Sequence, residues 1–385
     1  TLNALTITGS PAPVPTGEKV WVTDQQDGQL WPRHSPVAEV GHWTYPVAEP
    51  VPDTPAWSSV TTAPMSRYNF TAGVLNDKLY VVGGYDPAVG NLSRTDCYDN
   101  ATGTWSTRAA VDIQLQGNLA HGWYNGRLYI AGGSAGGGSG NNRVRCYDPG
   151  ADTWSLVGAV LPTPVPFGAG GSRHGMIGNK LYVLGGQSGA NPITRLLAYD
   201  VDAGTWATLA PIPVAVAEHG SAVIDGKLYV VGGWTIGSTN ATKKTWRYDP
   251  AADTWTALAD MPGGRNSSHT VAHFGKLYVI GGNNDNNGGA NTNAWRYDPA
   301  TNTWETLPNP PILPGKSGSP DTPRGIGKGA AVVLGGKVTT VLGRDGYTPN
   351  PQGIYRLDGI YDHTAAPPPS DPVWVVDSSA GLQWP

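Results

Sequence analysis

The sequence predicts an all-β chain in which a four-stranded antiparallel unit is repeated around a ring. Three observations predict it. Charged residues are only 14% of the 385, while the chain carries 53 glycines, 34 prolines and 15 tryptophans, the composition of many short strands joined by tight turns. Gly-Gly pairs follow apolar runs at Gly83, Gly132, Gly185, Gly232 and Gly281, in steps of 49, 53, 47 and 49 residues. Beyond each pair come Tyr98, Tyr147, Tyr199, Tyr248 and Tyr297, each followed by Asp, and seven residues further on Trp105, Trp154, Trp206, Trp255 and Trp304. A period of this length signals a propeller or array rather than two ordinary domains.

Each part of the repeat has a physical reading. Runs such as Leu79-Tyr80-Val81-Val82 are apolar on both faces, as a strand must be when neighbouring units pack against both of its sides. The diglycine lets the backbone turn where a Cβ would not fit. Asp-Pro or Asp-Asn before the tryptophan supplies the hairpin between the two outer strands.

With these residues the sequence resembles the kelch family, whose repeat combines a diglycine after an apolar strand with a later tyrosine and tryptophan at set spacing. The resemblance covers residues 57–362 and implies a β-propeller of four-stranded antiparallel blades. Six blades are expected, with a seventh, irregular one from residues 20–60 as the competing count. The sixth copy is degenerate: Ala331–Leu334 leads through Gly335-Gly336 to Val341, and Tyr361-Asp362 follows, but Pro368 stands where the tryptophan belongs. Trp57 lies 48 residues before Trp105, in phase with the series and with no diglycine before it. The strand around Trp57 is therefore expected to close the last blade and remove the edges an open ring would expose.

Residues 1–56 and 363–385 read as arms. Val20-Trp21-Val22 and Gly28-Gln29-Leu30-Trp31-Pro32 recur 353 residues later as Val373-Trp374-Val375 and Gly381-Leu382-Gln383-Trp384-Pro385, each after a Pro-rich lead. This duplication makes Trp21, Trp31, Trp374 and Trp384 candidate assembly residues. The arms pack on their own propeller, add to a sister chain or protein partner, or mark a longer array.

The formal charge of −4 excludes the broad basic footprint of nonspecific nucleic-acid binding, and no apolar run is long enough to span a bilayer. The first residues carry no signal-peptide pattern, and the Thr-, Asn- and Gly-rich composition points to a secreted or cell-surface protein.

The resemblance also implies that the start of each innermost strand, with the loop before it, lines one mouth of the central channel. Those positions include Arg67, Gln116, Arg173, His174, Glu218, His219, Arg265, His269 and Arg324. Arg67, Gln116 and Arg265 each precede a diglycine by 16 residues and are expected to form equivalent spokes. Two kelch-type enzyme classes bear on them. Copper radical oxidases need a cross-linked tyrosine and cysteine, but Cys97 and Cys146 sit at one outer-strand position in consecutive blades, which predicts separate buried thiols. Sialic-acid mutarotases use Arg with Glu or His in the channel, so Glu218-His219 keeps a sugar ligand as the alternative. The Asn283–Gly289 loop lacks the clustered acids of a calcium site, and no cofactor or metal is assigned. The expectation is a non-enzymatic extracellular interaction or assembly module, with a sugar-active enzyme as the competing reading.

Overall fold

The computed structural model describes residues 20–23, 30–33 and, between 55 and 358, all but 118, 136–138, 141, 159, 163–174, 189–190, 238–240, 284–290, 311–326, 342 and 344–352. The chain divides into two compact units, Pro55–Ile360 and a second formed by Thr1–Thr54 with Tyr361–Pro385.

In the larger unit the described residues form six four-stranded antiparallel sheets. Blade 1 runs outward from the axis through Thr71–Leu75, Lys78–Val82, Thr95–Asp99 and Thr104–Arg108. Blades 2 to 5 repeat this order, with innermost strands Ala120–Tyr124, Met176–Ile177, Gly220–Ile224 and His269–His273. Blade 6 takes Ala330–Leu334, Lys337–Val341 and Gly353–Asp358 from the C-terminal side, and its outermost strand, Ala56–Thr62, from the start of the unit. Trp57 there faces Leu357, as Trp105 faces Tyr98 in blade 1. The Tyr-Asp position of blade 6 is therefore held by Leu357-Asp358, with Asp358 paired to Lys337, and not by Tyr361-Asp362, which lies outside the described residues.

Six apolar clusters fill the seams, one between each pair of neighbouring blades. Tyr80, Val82, Leu115, Leu128 and Tyr147 pack between blades 1 and 2, and Phe70, Val81, Val332 and Ile354 between blades 6 and 1. This is why the second strand of each blade is apolar on both faces. Cys97 and Cys146 lie buried and unlinked in two different seams, facing Tyr80 and Tyr129 across their own sheets.

The repeated tryptophan does more than fill space. Trp154 donates its indole N–H to the Ala109 carbonyl of the preceding blade at 3.0 Å, Trp255 to Ala210 at 2.9 Å, Trp304 to Ala259 at 3.0 Å and Trp57 to Pro308 at 2.9 Å. The amide of the same alanine donates to Asp152, Asp253 or Asn302, which also accepts from Tyr147, Tyr248 or Tyr297 of its own blade. Ala109, Ala210 and Ala259, of blades 1, 3 and 4, are thus gripped through both backbone groups by the next blade.

These grips titrate. The Tyr147 hydroxyl and then the Ala109 amide hold the Asp152 carboxyl below the usual carboxylate range, as Tyr248 and Ala210 do for Asp253. Both folded-state values lie below the unfolded ones, so the contribution is fully present above the unfolded value and is lost as pH falls through the lowered ones. Blade 5 makes the same grip with Asn302, which carries no proton to gain. The double variant Asp152→Asn, Asp253→Asn is expected to keep the bonds and to lose less melting temperature than the parent below about pH 4, as calorimetry across the acid range will read.

In the smaller unit, Val20–Thr23 and Leu30–Arg33 pair antiparallel, with Trp21 opposite Pro32 and Val22 opposite Trp31. The side chains of Trp21 and Trp31, and the whole of Trp374 and Trp384, lie outside the described residues. Among the described residues no helix is long and apolar enough to cross a membrane.

Candidate functional site

The innermost strands begin at the end of the propeller that also carries the diglycines, so that rim collects the loops before each innermost strand and the loops after each diglycine. The residue two or three before the strand takes a left-handed conformation: φ is 54° at Asn69, 55° at Glu218, 50° at Ser267 and 56° at Lys328, with Gly117 at 102°. This turn aligns backbone groups around the mouth. Asn69 donates to Lys328 at 2.8 Å, Gly117 to Asn69 at 2.9 Å, Ser267 to Glu218 at 2.7 Å and Lys328 to Ser267 at 3.0 Å, linking successive blades. A cavity of about 340 Å³ is lined by the innermost strands beyond this belt. Its walls are aliphatic and glycine positions, among them Gly73, Gly122, Ala222, Val271 and Val332, with Trp123, Met176 and His121.

The diglycines serve the same rim. Gly84 donates its N–H to Leu115 of the next blade at 2.8 Å, Gly186 to Val216 at 3.1 Å and Gly233 to Arg265 at 2.7 Å. The first glycine of each pair has φ between 58° and 79°, and a Cβ would meet that same carbonyl at 2.6 Å on Gly83, 2.5 Å on Gly185 and 2.1 Å on Gly232. Both the conformation and the close approach require glycine.

Four of the five expected mouth residues whose side chains are described, Arg67, His219, Arg265 and His269, turn out to be enclosed. Arg67 is wholly buried, ion-paired to the equally buried Asp96 and donating to the Gly83 carbonyl at 3.2 Å. Burial pulls its pKa down, against the pull of Asp96. His219 is 0% exposed, wedged where Cβ atoms on Gly185 and Gly233 would lie 3.3 and 3.0 Å from it. His269, also 0% exposed, accepts the Gly329 N–H at 3.0 Å and so joins blades 5 and 6. Glu218 alone of the described candidates is half-open, accepting from the Ser267 hydroxyl at 2.7 Å. Glu218 and His219 therefore face different surroundings. The spoke position equivalent to Arg67 and Arg265 in blade 2 is Leu115, not Gln116, because that loop has one extra residue before its strand. Arg173, His174, Arg324 and the Gln116 side chain lie outside the described residues, as does the loop 284–290.

What the spacing did not single out is the rim itself. Tyr68 and Tyr85 stack with ring centroids 5.4 Å apart in blade 1, while the same bridge is made by Ala217 with Trp234 in blade 4 and by Asn266 with Asn283 in blade 5. Of the large apolar side chains left exposed, Val89 (66%), Ile236 (61%), Val160 and Val214 all sit in loops at this end. A signal was available: the residue directly after the diglycine is aromatic in two of the five clear copies.

Comparison with known proteins agrees with this architecture. The chain matches the KLHDC2/KLHL20/DRC7 Kelch-repeats domain profile over residues 51–209 and 118–343. It is 40% identical over 65 residues to Kelch repeat and BTB domain-containing protein 12 of Homo sapiens, covering 16% of this chain and 10% of that one. It is 27% identical over 201 residues to Kelch-like protein 36 of Bos taurus, covering 50% of this chain and 24% of that one. The chain thus spans a tenth to a quarter of the length of these relatives. A solved structure described as "Structure of YjhT" superposes with a TM-score of 0.59 at 15% identity, over 78% of this chain and 96% of that one, and shares the fold. The kelch propeller fold supports a role as a protein-interaction scaffold. With a matching profile across most of its length and six blades built on the diglycine, tyrosine and tryptophan repeat, the chain belongs to the kelch-repeat family.

Proposed function

We propose that this propeller is a non-enzymatic interaction module that binds a protein partner on its diglycine-end rim, and that it works outside the cell as part of a larger assembly. The observation that carries the binding face is the gathering there of Val89, Ile236, Val160 and Val214 beside half-exposed Tyr68, Tyr85 and Trp234, over a rigid hydrogen-bonded mouth. Apolar and aromatic side chains on adaptable loops above a fixed scaffold are what partner recognition uses. The assembly part rests on the duplicated Val-Trp-Val motif and on the hairpin that its first copy forms, and the extracellular part on the surface composition. Sister chains are the partner this duplication favours. The alternative, a sugar-active enzyme at the mouth, is compatible with the fold of YjhT and would draw on the half-open Glu218, since Arg67 and His219 are wholly buried.

The test compares the full chain with rim variants in one pull-down and light-scattering series. Val89→Glu with Ile236→Glu is expected to lose the captured partner, while Phe274→Glu, at the opposite end, keeps it; equal capture by all three overturns the rim. A full chain heavier than one monomer, reduced to a monomer by removing residues 1–54 and 361–385, supports assembly through the arms, and equal monomer masses overturn it.

A further inference from the structure

The grips between neighbouring blades are not equal around the ring. In blades 2, 4 and 5 the outer hairpin turns through a left-handed residue, with φ of 52° at Asp152, 50° at Asp253 and 56° at Asn302, and its side chain accepts an amide of the preceding blade. The same place in blade 1 is Gly103, five residues after Tyr98 and with φ of 69°, which has no side chain to reach blade 6. The other half of the grip is missing too. Trp154, Trp255, Trp304 and Trp57 each donate to the preceding blade, whereas Trp105 has its indole N–H buried without an acceptor, although its ring packs in the seam between blades 6 and 1.

The cause lies in the strand that closes blade 6. Its register shifts between Ser59 and Thr61, so Val60 is an added residue. Thr61 faces Ile354 as Arg108 faces Thr95, which puts Thr62 where Ala109 stands in blade 1. A bulge bends and twists its strand, and no carbonyl of this strand comes within bonding reach of the Trp105 indole.

What holds this seam lies nearer the axis. At the mouth Asn69 donates its amide to Lys328 at 2.8 Å. At the other end the Gly335 amide donates to the Asp77 carboxylate at 2.6 Å, which Asn100 steadies at 2.7 Å. Packing of Phe70, Val81, Val332 and Ile354 adds to these bonds. Blade 6 also holds both ends of the larger unit, since Ala56–Thr62 follows Thr54 and Gly353–Asp358 precedes Tyr361. Any motion of this blade therefore carries both connections to the smaller unit with it.

We propose that the ring opens at the outer edge of the seam between blades 6 and 1, with blade 6 swinging on its axial bonds while the seams gripped by Asp152, Asp253 and Asn302 stay shut. A full grip joins an indole, an amide and a hydroxyl, so a seam without one opens at least about tenfold more often. The proposal does not depend on what the rim binds.

The experiment follows the decay of the tryptophan indole N–H signals of the full chain by NMR after transfer to deuterated water, with Trp→Phe variants to assign them. The Trp105 signal is expected to decay at least about tenfold faster than those of Trp154, Trp255 and Trp304. Gly103→Asp is expected to slow it towards them. A Cβ at Gly103 meets only the Tyr98 hydroxyl, at 4.0 Å, and Asp152 and Asp253 already adopt the same left-handed conformation. The new carboxylate accepts from blade 6 and from Tyr98 but gives the indole no acceptor, so slower exchange reports a seam that opens less. If Gly103→Asp does not fold, Gly103→Asn serves, as Asn302 does in blade 5. Gly204→Asp, at the equivalent place in blade 3, is expected to leave the Trp105 rate unchanged. A Trp105 signal that decays no faster than the others, or that ignores the substitution at Gly103, overturns the proposal, and so does equal slowing by Gly204→Asp.

Discussion

Gly232→Ala is expected to cost at least about 4 kcal/mol, in the range that only clashes and broken buried networks reach. The new methyl group would lie 2.1 Å from the Arg265 carbonyl oxygen and 3.0 Å from Met261, at a φ of +64° that already disfavours any Cβ. Neither obstacle can yield cheaply. The carbonyl is backbone of the neighbouring blade, and it is already the acceptor for Gly233, so retreat of either chain opens the bond between blades 4 and 5. Gly226→Ala is the matched control: φ there is +69° with nothing within 4 Å, so only the conformational cost of about 1 kcal/mol is expected. Urea unfolding of both variants separates the two contributions. Similar midpoints would mean that the seam adjusts, and the close approach would then not explain the diglycine.

The second large effect is expected at Asp96. Asp96 and Arg67 are each 0% exposed, and Arg94 adds a second cation to the same carboxylate at 2.7 Å. Asp96→Ala leaves the buried guanidinium with its Gly83 contact alone and is expected to destabilise by about 3–5 kcal/mol, whereas Arg67→Met with Asp96→Leu recovers most of that loss. The comparison pair is Lys78 with Asp99, partly exposed on both sides, where Lys78→Ala is expected to cost less than about 1 kcal/mol. A double variant no more stable than Asp96→Ala would show that the pair contributes more than the relief of its own desolvation.

The ring was legible because its repeated residues all act across seams between blades. Gly83, Gly185 and Gly232 touch a carbonyl of the next blade, and Trp154, Trp255 and Trp304 reach back to a carbonyl of the previous one, so each blade must carry the same residues to fit its neighbours. Trp57 could be read as part of the series for the same reason, since it reaches Pro308 in the way the others reach their alanines. The mouth was less legible. Counting back 16 residues from the diglycine finds Arg67 and Arg265 but selects Gln116 over Leu115, because one added residue before Ala120 leaves the spacing to the diglycine unreliable. Spacing also says nothing about direction. The left-handed turn at Glu218 interrupts strand alternation just before His219, and the histidine is carried between the blades while the glutamate stays at the mouth. In blade 6, Leu357 replaces the tyrosine, and with its ring gone the register could be found only through the Lys337–Asp358 pair.

The pairing of Ala56–Thr62 with Gly353–Asp358 also sets an order of events during synthesis. The first strand of the propeller to leave the ribosome is the last to find its partner, because some 290 further residues must emerge before the edge it completes exists. Blades 1 to 5 can each form from contiguous chain as it appears, whereas blade 6 cannot. Until then Ala56–Thr62 is an unpaired strand whose partner on a neighbouring chain would have the same sequence as its own. Crowded polysomes making this protein are therefore where strand exchange between chains would have its opportunity.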